Sequence, residues 1–300
     1  MADKFTDNIL TPSLEIIRND TRIKRFYFFP GLISVIFVSV LLVYQVVYTY
    51  VVLLGSEDEA FQLLLSLFHT SYITPLLISG FVFIISYIIL LPIFEGALIG
   101  YLHKKDDGMA SRSDAIGFGI YRFYALFEFN NIFGMFKLAS ILNGFLFSLR
   151  YLGIEYLSGL SIFFFIAFLF SIILNILIAY AKYEVVLEDA GVFEAIGTSS
   201  QIALLNIKTT LRLYVLMFAM NIKVIINFTI FLIFPIFAAF LAGVLSSQLF
   251  TTIAFTVLGG IFLFFILLLG YLAAVLDIFT TSMWYRAYLE GKKKTGELKK

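Results

Sequence analysis

The chain has 300 residues, of which 61% are hydrophobic and 14% charged, with a net charge of +1 and a mean hydropathy of +0.99. Soluble domains are about half apolar and a quarter charged, so this excess does not fit one globular core and lipid is the expected solvent. The balanced charge points to no nucleic-acid partner, and the absence of cysteine removes disulfides, thiolate nucleophiles and cysteine metal sites.

Residues 1–25 are polar and charged, and the apolar run that follows is too long for a signal core. A retained anchor is therefore expected rather than a cleavable signal peptide. A spanning helix needs about 20 apolar residues. No Asp, Glu, Lys or Arg lies between Arg25 and Glu57, which predicts a first span over 29–54. The same holds between Glu59 and Glu95 for a second span over 73–94. A third span over 132–152 carries Lys137, Asn143 and Arg150. A fourth is expected over 160–181, inside the charge-free stretch between Glu155 and Lys182. The 53 residues between Lys223 and Asp277 are also uncharged. They suffice for a fifth span over 214–241 and a sixth over 251–276, with a break near 243–248.

The third span is fixed by loop charge, because cytoplasmic loops are enriched in Lys and Arg. With six spans, 18 of the 21 basic residues fall on the inner side. These include Arg18, Lys24, Lys104, Lys105, Arg122, Lys182, Lys208 and the C-terminal lysines. Glu57, Asp58, Glu59, Arg150 and Glu155 fall outside. Five spans would put the basic 278–300 tail on the wrong side. The expected fold class is thus an all-α polytopic membrane protein of six spans in the cytoplasmic membrane, both termini cytoplasmic. Tyr44, Tyr48 and Tyr72 near the outer boundary and Tyr101, Tyr121, Trp284 and Tyr288 near the inner one suit aromatic belts.

Three cytoplasmic segments ahead of the odd-numbered spans carry apolar residues at helical spacing. In 9–19 these are Leu10, Leu14 and Ile17; in 112–127, Ile116, Ile120, Phe123 and Phe127; in 192–207, Phe193, Ile196, Leu204 and Ile207. The first and third also share Ser13/Asn19 and Ser200/Asn206. One reading is three units (9–101, 112–181 and 192–277), each an interfacial helix followed by a transmembrane hairpin. The other is plain helical connectors.

Ser13-Leu14-Glu15-Ile16-Ile17-Arg18-Asn19-Asp20, with Phe28-Phe29-Pro30 at the membrane entry, resembles the opening of a family of prokaryotic multi-pass membrane proteins without an assigned activity. Val185-Val186-Leu187-Glu188-Asp189-Ala190-Gly191-Val192-Phe193-Glu194-Ala195-Ile196-Gly197-Thr198-Ser199-Ser200 is similar to that family's central cytoplasmic segment, and to the membrane domain attached to some glycerophosphodiester phosphodiesterases. The resemblance implies a six-span bundle and no activity, since the soluble phosphodiesterase barrel has no counterpart here.

Chemistry is sparse. His69 and His103 fall on opposite sides of the membrane in this topology, and no nucleophile elbow, zinc-binding helix pair or phosphate loop occurs. Asp107-Gly108-Met109-Ala110-Ser111-Arg112 resembles the start of the motif of CDP-alcohol phosphotransferases. However, Arg112 is one position off, and no acidic residue follows in 116–127 to hold metals. No metal, cofactor or catalytic residue is expected. The informative groups are charges and amides in or beside the spans, since charge in hydrocarbon is costly and usually paired or facing water. They are Glu95, Lys137, Asn143, Asn175, Asn221, Lys223, Asn227 and Asp277. Glu95 is expected to pair with Lys137, and Lys223 with Asp277 or a lipid phosphate. Alternatively the lysines snorkel to the headgroups. Membrane lipids, with anionic headgroups met by Lys292–Lys294, are the expected partners. The expected role is non-enzymatic lipid or partner binding or membrane organisation. A transporter or channel is the alternative, and an intramembrane lipid-modifying enzyme would need clustered acids that are absent.

Overall fold

The computed structural model describes residues 4–54, 62, 65, 71, 73–106, 111–220 and 248–298. All regular structure among them is helical. A π-helical turn at Thr6–Leu10 runs into α1 (Thr11–Asn19), which has Pro12 in its first turn, where the missing N–H costs no hydrogen bond. Then come α2 (Thr21–Leu54), α3 (Ile73–Asp106), α4 (Arg112–Tyr121), α5 (Phe123–Gly134) and α6 (Leu138–Leu152). A 3-10 turn at Ile154–Tyr156 precedes α7 (Leu157–Leu177), α8 (Ala181–Leu187) and α9 (Val192–Leu205). The described chain ends with α10 (Ile207–Met220) and α11 (Gln248–Leu298).

Four helical stretches are long and apolar enough to cross a membrane: Thr21–Val40, Ile73–Asp106, Ile154–Leu187 and Thr256–Gly296. α9 and α10, bent by 95° at Asn206, make a fifth if counted together. The expected third span is not one helix. It is interrupted at Met135–Lys137, and α6 has 15 residues, about 22 Å at 1.5 Å per residue, short of a hydrocarbon core of about 30 Å. The fifth expected span is described only as far as Met220. The expected basic tail continues as helix, and Met283, Trp284, Tyr285 and Tyr288 on it are buried.

The chain forms two compact units. One comprises 21–91 and 225–278. In it α2 and α11 cross at glycine. A Cβ on Gly31 would sit 2.6 Å from the Gly270 carbonyl oxygen and 2.8 Å from the Ala274 nitrogen, so only a bare backbone fits. Phe37 and Tyr87 stack at 3.9 Å. The outer residues of α3, such as Leu76, Leu77 and Phe81, are more than half exposed, as lipid-facing positions are.

The other unit comprises 1–20, 92–224 and 279–300. Its core holds Phe129, Phe133, Ile178, Ala181, Val185, Val192 and Ala195, beside a set of buried rings that includes Tyr180, Tyr183, Trp284 and Tyr288. α3 meets α4 and α5 through Gly96, Gly100 and Gly119; a Cβ on Gly96 would come within 2.9 Å of Leu126 Cδ1. Gly96 and Gly100 form the small-residue pair readable in the sequence. The three amphipathic segments are helical, but each packs through another face. α1 and the turn before it bury Ile9, Ser13 and Ile16 and leave Leu14 exposed. The expected single helix 112–127 is broken at Arg122; Ala115 and Gly119 are buried while Ile116 and Ile120 face outward. α9 buries Val192, Ala195, Ser199 and Ile202 and exposes Phe193 and Leu204.

Candidate functional site

The candidate site begins where the helix breaks between α5 and α6. Breaking a helix orphans carbonyl groups. The Phe136 carbonyl oxygen accepts from Ser171 Oγ and, at 2.8 Å, from Asn175 Nδ2, both on α7. The Gly134 carbonyl accepts from Ser140 Oγ at 2.8 Å. Lys137 is left in an extended conformation (φ −67°, ψ 143°) at the start of α6.

A second break, between α7 and α8, lies opposite. Ser199 of α9 spans it: its hydroxyl donates to the Leu177 carbonyl at 2.6 Å and accepts from the Tyr180 N–H at 3.0 Å. Beyond it, α8 presents Lys182, whose Nζ is 3.0 Å from Glu95 Oε1. Asn130 Nδ2 donates to Glu95 Oε2, also at 3.0 Å. Tyr214 of α10 donates its hydroxyl to the Asn175 backbone carbonyl at 2.6 Å, and its ring meets Trp284 edge-on at 5.0 Å.

These groups surround two adjoining hollows. The smaller, about 130 Å³, is a polar chamber lined by Glu95, Asn130, Lys137, Asn175, Lys182 and Tyr214, among others. The larger, about 530 Å³, is an apolar cleft whose walls include Leu138, Phe168, Ile172, Leu211, Val215 and Phe218. Lys137, Asn175 and Tyr214 line both. The cleft's volume lies in the range of ligand sites, ~300–1,000 Å³, and a mostly apolar lining with a few convergent polar groups is their usual composition.

Three residues expected from the sequence, Glu95, Lys137 and Asn175, meet here. The ion pair that Glu95 forms is with Lys182, which projects from α8 to the carboxylate, rather than the expected one with Lys137, which reaches it only through charge at a distance. Among the described residues the Lys137 ammonium makes no hydrogen bond or ion pair. Asn143 is exposed on α6 and Asp277 on α11, and neither lines the hollows. Asn221, Lys223 and Asn227 lie outside the described residues, as does 107–110, the start of the phosphotransferase-like stretch. Sequence reasoning missed Asn130, Ser171, Lys182 and Tyr214. One signal was available: Ser171 and Asn175, four apart, share one face of an otherwise apolar helix.

Among the described residues no group of three His, Asp or Glu side chains could hold a metal ion. Elsewhere in this unit several charges are paired. Lys105 pairs with Asp20 at 2.6 Å, Arg286 with Asp106 at 2.6 Å, Lys292 with Glu188 at 2.7 Å, and Arg122 with Asp189. Comparison with protein-family models, with curated proteins and with solved structures finds no match.

Proposed function

We propose that this protein is a six-span integral membrane protein of the cytoplasmic membrane that binds a membrane lipid without transforming it. The carrying observation is the junction of a polar chamber with an apolar cleft at one helix break. The register supports an amphiphile. Residues 73–94 of α3 extend about 33 Å, close to the thickness of a hydrocarbon core. Glu95 then falls at the headgroup boundary. Along α7 the chamber uses Asn175 and Ile178, whereas the cleft runs back to Phe168, about 10 Å toward the middle of the helix. A headgroup therefore fits at the boundary with its chain beneath.

The six-span count takes the broken α5–α6 pair as the third span and α10 with the residues after it as the fifth. A separate helix precedes each odd-numbered span (α1, α4, α9), in keeping with three helix-plus-hairpin units and with the resemblance noted above. Both termini are assigned to the cytoplasm on loop charge. The chain is free of cysteine, so single cysteines introduced one at a time test this directly. A cysteine at Glu155 reacts with an impermeant maleimide from outside, and one at Lys293 only after the membrane is opened; the reverse pattern refutes the topology.

The lipid reading is tested by purifying the full chain in mild detergent, extracting bound lipid and weighing it by mass spectrometry. Lipid should be retained at about one per chain, and the cleft-filling substitutions Ile172→Phe and Val215→Phe should deplete it. Equal retention by wild type and both variants sinks the proposal. A second reading, lipid or solute transport, draws on the interrupted helix at Lys137, a device by which transporters build midplane sites. Vesicles carrying the protein would then move a fluorescent phospholipid between leaflets faster than empty ones.

A further inference from the structure

We propose that the cleft selects a lipid whose headgroup carries a net negative charge at phosphate, seated against the Lys137 ammonium with an acyl chain in the apolar cleft. This rests on the lipid-binding reading above and adds what the headgroup must be. Among the described residues the charges lining the chamber are unequal: Lys137 and Lys182 against Glu95. The carboxylate is already engaged on both oxygens, by Lys182 at 3.0 Å and Asn130 at 3.0 Å. It is not available to a choline or ethanolamine cation. Lys137 makes no hydrogen bond or salt bridge among the described residues and acts on Glu95 through charge at a distance alone; it lines both chamber and cleft. Lys137, with an extended backbone at the start of α6, and the next residue Leu138 both line the cleft. Opposite charge therefore meets a phosphate where the polar chamber adjoins the apolar cleft. A zwitterionic lipid brings a cation that no free carboxylate of the chamber can balance. The other polar groups are committed: Ser171 and Asn175 hold the Phe136 carbonyl, and the Tyr214 hydroxyl holds the Asn175 carbonyl.

The protein carries its own probe. Trp284 is the chain's one tryptophan and lies edge-on to Tyr214, which lines both hollows. The full-length protein is reconstituted in phosphatidylcholine vesicles containing traces of phosphatidylglycerol or phosphatidylcholine brominated in the acyl chains, and quenching of Trp284 is titrated. Brominated phosphatidylglycerol should quench at about fivefold lower mole fraction than brominated phosphatidylcholine, the effect of roughly one charge near the surface. Lys137→Gln should bring the two curves together, Lys137→Arg should keep them apart, and inorganic phosphate in the buffer should displace neither lipid. Equal quenching by both lipids in the wild type, or a preference that survives Lys137→Gln, overturns the headgroup assignment. Displacement by inorganic phosphate overturns it too, in favour of a free-anion site. Ile172→Phe separates this from failure of the lipid reading: if filling the cleft leaves quenching by both lipids unchanged, the lipid is not in the cleft at all.

Discussion

A double-mutant cycle on Glu95 separates the pairing that the sequence suggests from the one observed. Glu95 Oε1 and Lys182 Nζ are 3.0 Å apart, with side chains 24% and 25% exposed. At that separation and an effective dielectric constant of about 20, the Coulomb attraction is about 5.5 kcal/mol. Desolvation of both ions cancels much of it, leaving the net worth of a charged hydrogen bond, about 1.5–3 kcal/mol. Glu95→Gln, Lys182→Gln and the double variant should therefore couple by about 1.5–3 kcal/mol, on the scale found for residues in one network. The cycle with Lys137→Gln should couple more weakly, by about 0.2–1 kcal/mol, because Lys137 acts on the carboxylate through charge alone and no hydrogen bond links that pair. Stability is read from unfolding in mixed micelles as sodium dodecyl sulfate replaces the mild detergent, followed by Trp284, whose packing against Tyr180 and Tyr214 is lost on unfolding. A larger coupling to Lys137 than to Lys182 would refute the assignment, and with it the argument that Lys182, not Lys137, is the main partner of the carboxylate.

Gly119→Ala should destabilise by about 1–3 kcal/mol in the same assay, because its Cβ would overlap the Ile93 carbonyl oxygen and lie 2.8 Å from the Ala97 nitrogen, forcing α3 and α4 apart. Gly117→Ala, two residues earlier on α4, meets no atom within 4 Å. It should be neutral or stabilise by up to about 1 kcal/mol through helix propensity. Ser199→Ala strands the Leu177 carbonyl and the Tyr180 N–H at a buried position. A loss of about 1–3 kcal/mol is expected, with faster hydrogen exchange at the Tyr180 amide than at neighbouring amides; uniform exchange across α7 and α8 would show that Ser199 does not hold the break.

The helical character of the chain and its long apolar helices were legible because they rest on composition and on charge-free length. Ile73–Asp106 and Ile154–Leu187 enclose the expected second and fourth spans, and Thr256–Gly296 covers most of the sixth. The helix break at 135–137 was not legible. Gly134 and Lys137 hint at it, but what permits it is a pair of side chains about 35 residues later, Ser171 and Asn175, that replace the lost helical bonds. The Glu95–Lys182 pair was hidden for the same reason. Lys182 reads as an ordinary inner-loop lysine until the second break turns α8 back toward α3. The sequence put large apolar residues of α1, α4 and α9 on one stripe but did not say which residues pack against the rest of the chain. In a membrane there is no hydrophobic drive between helices, and small residues let backbones approach. Ala115, Gly119, Ala195 and Ser199 accordingly face inward while Ile120 and Phe193 face out, where lipid offers them the same apolar surroundings as a core.

The same constraint accounts for where the polar groups sit. A backbone group left unpaired in hydrocarbon costs several kcal/mol, so each helix junction in this unit needs a side chain to satisfy it. Ser199 serves the junction at Tyr180, Ser171 and Asn175 the one at Phe136, and the Asn206 amide bonds back to the Ile202 carbonyl while Lys294 meets its oxygen at 2.6 Å. Part of the intramembrane polarity, which the sequence offers as a sign of function, is thereby accounted for by architecture; of the residues singled out there, this holds for Asn175. Asn143 lies on a continuous helix and Asp277 on another, so neither serves a break. What distinguishes Lys137 is that its backbone forms part of a junction already satisfied by other residues, while among the described residues its charge reaches Glu95 only at a distance, without a hydrogen bond or salt bridge. An ammonium that lines both a polar chamber and an apolar cleft, facing a carboxylate already held by Lys182 and Asn130, is the group on which a ligand's charge can act.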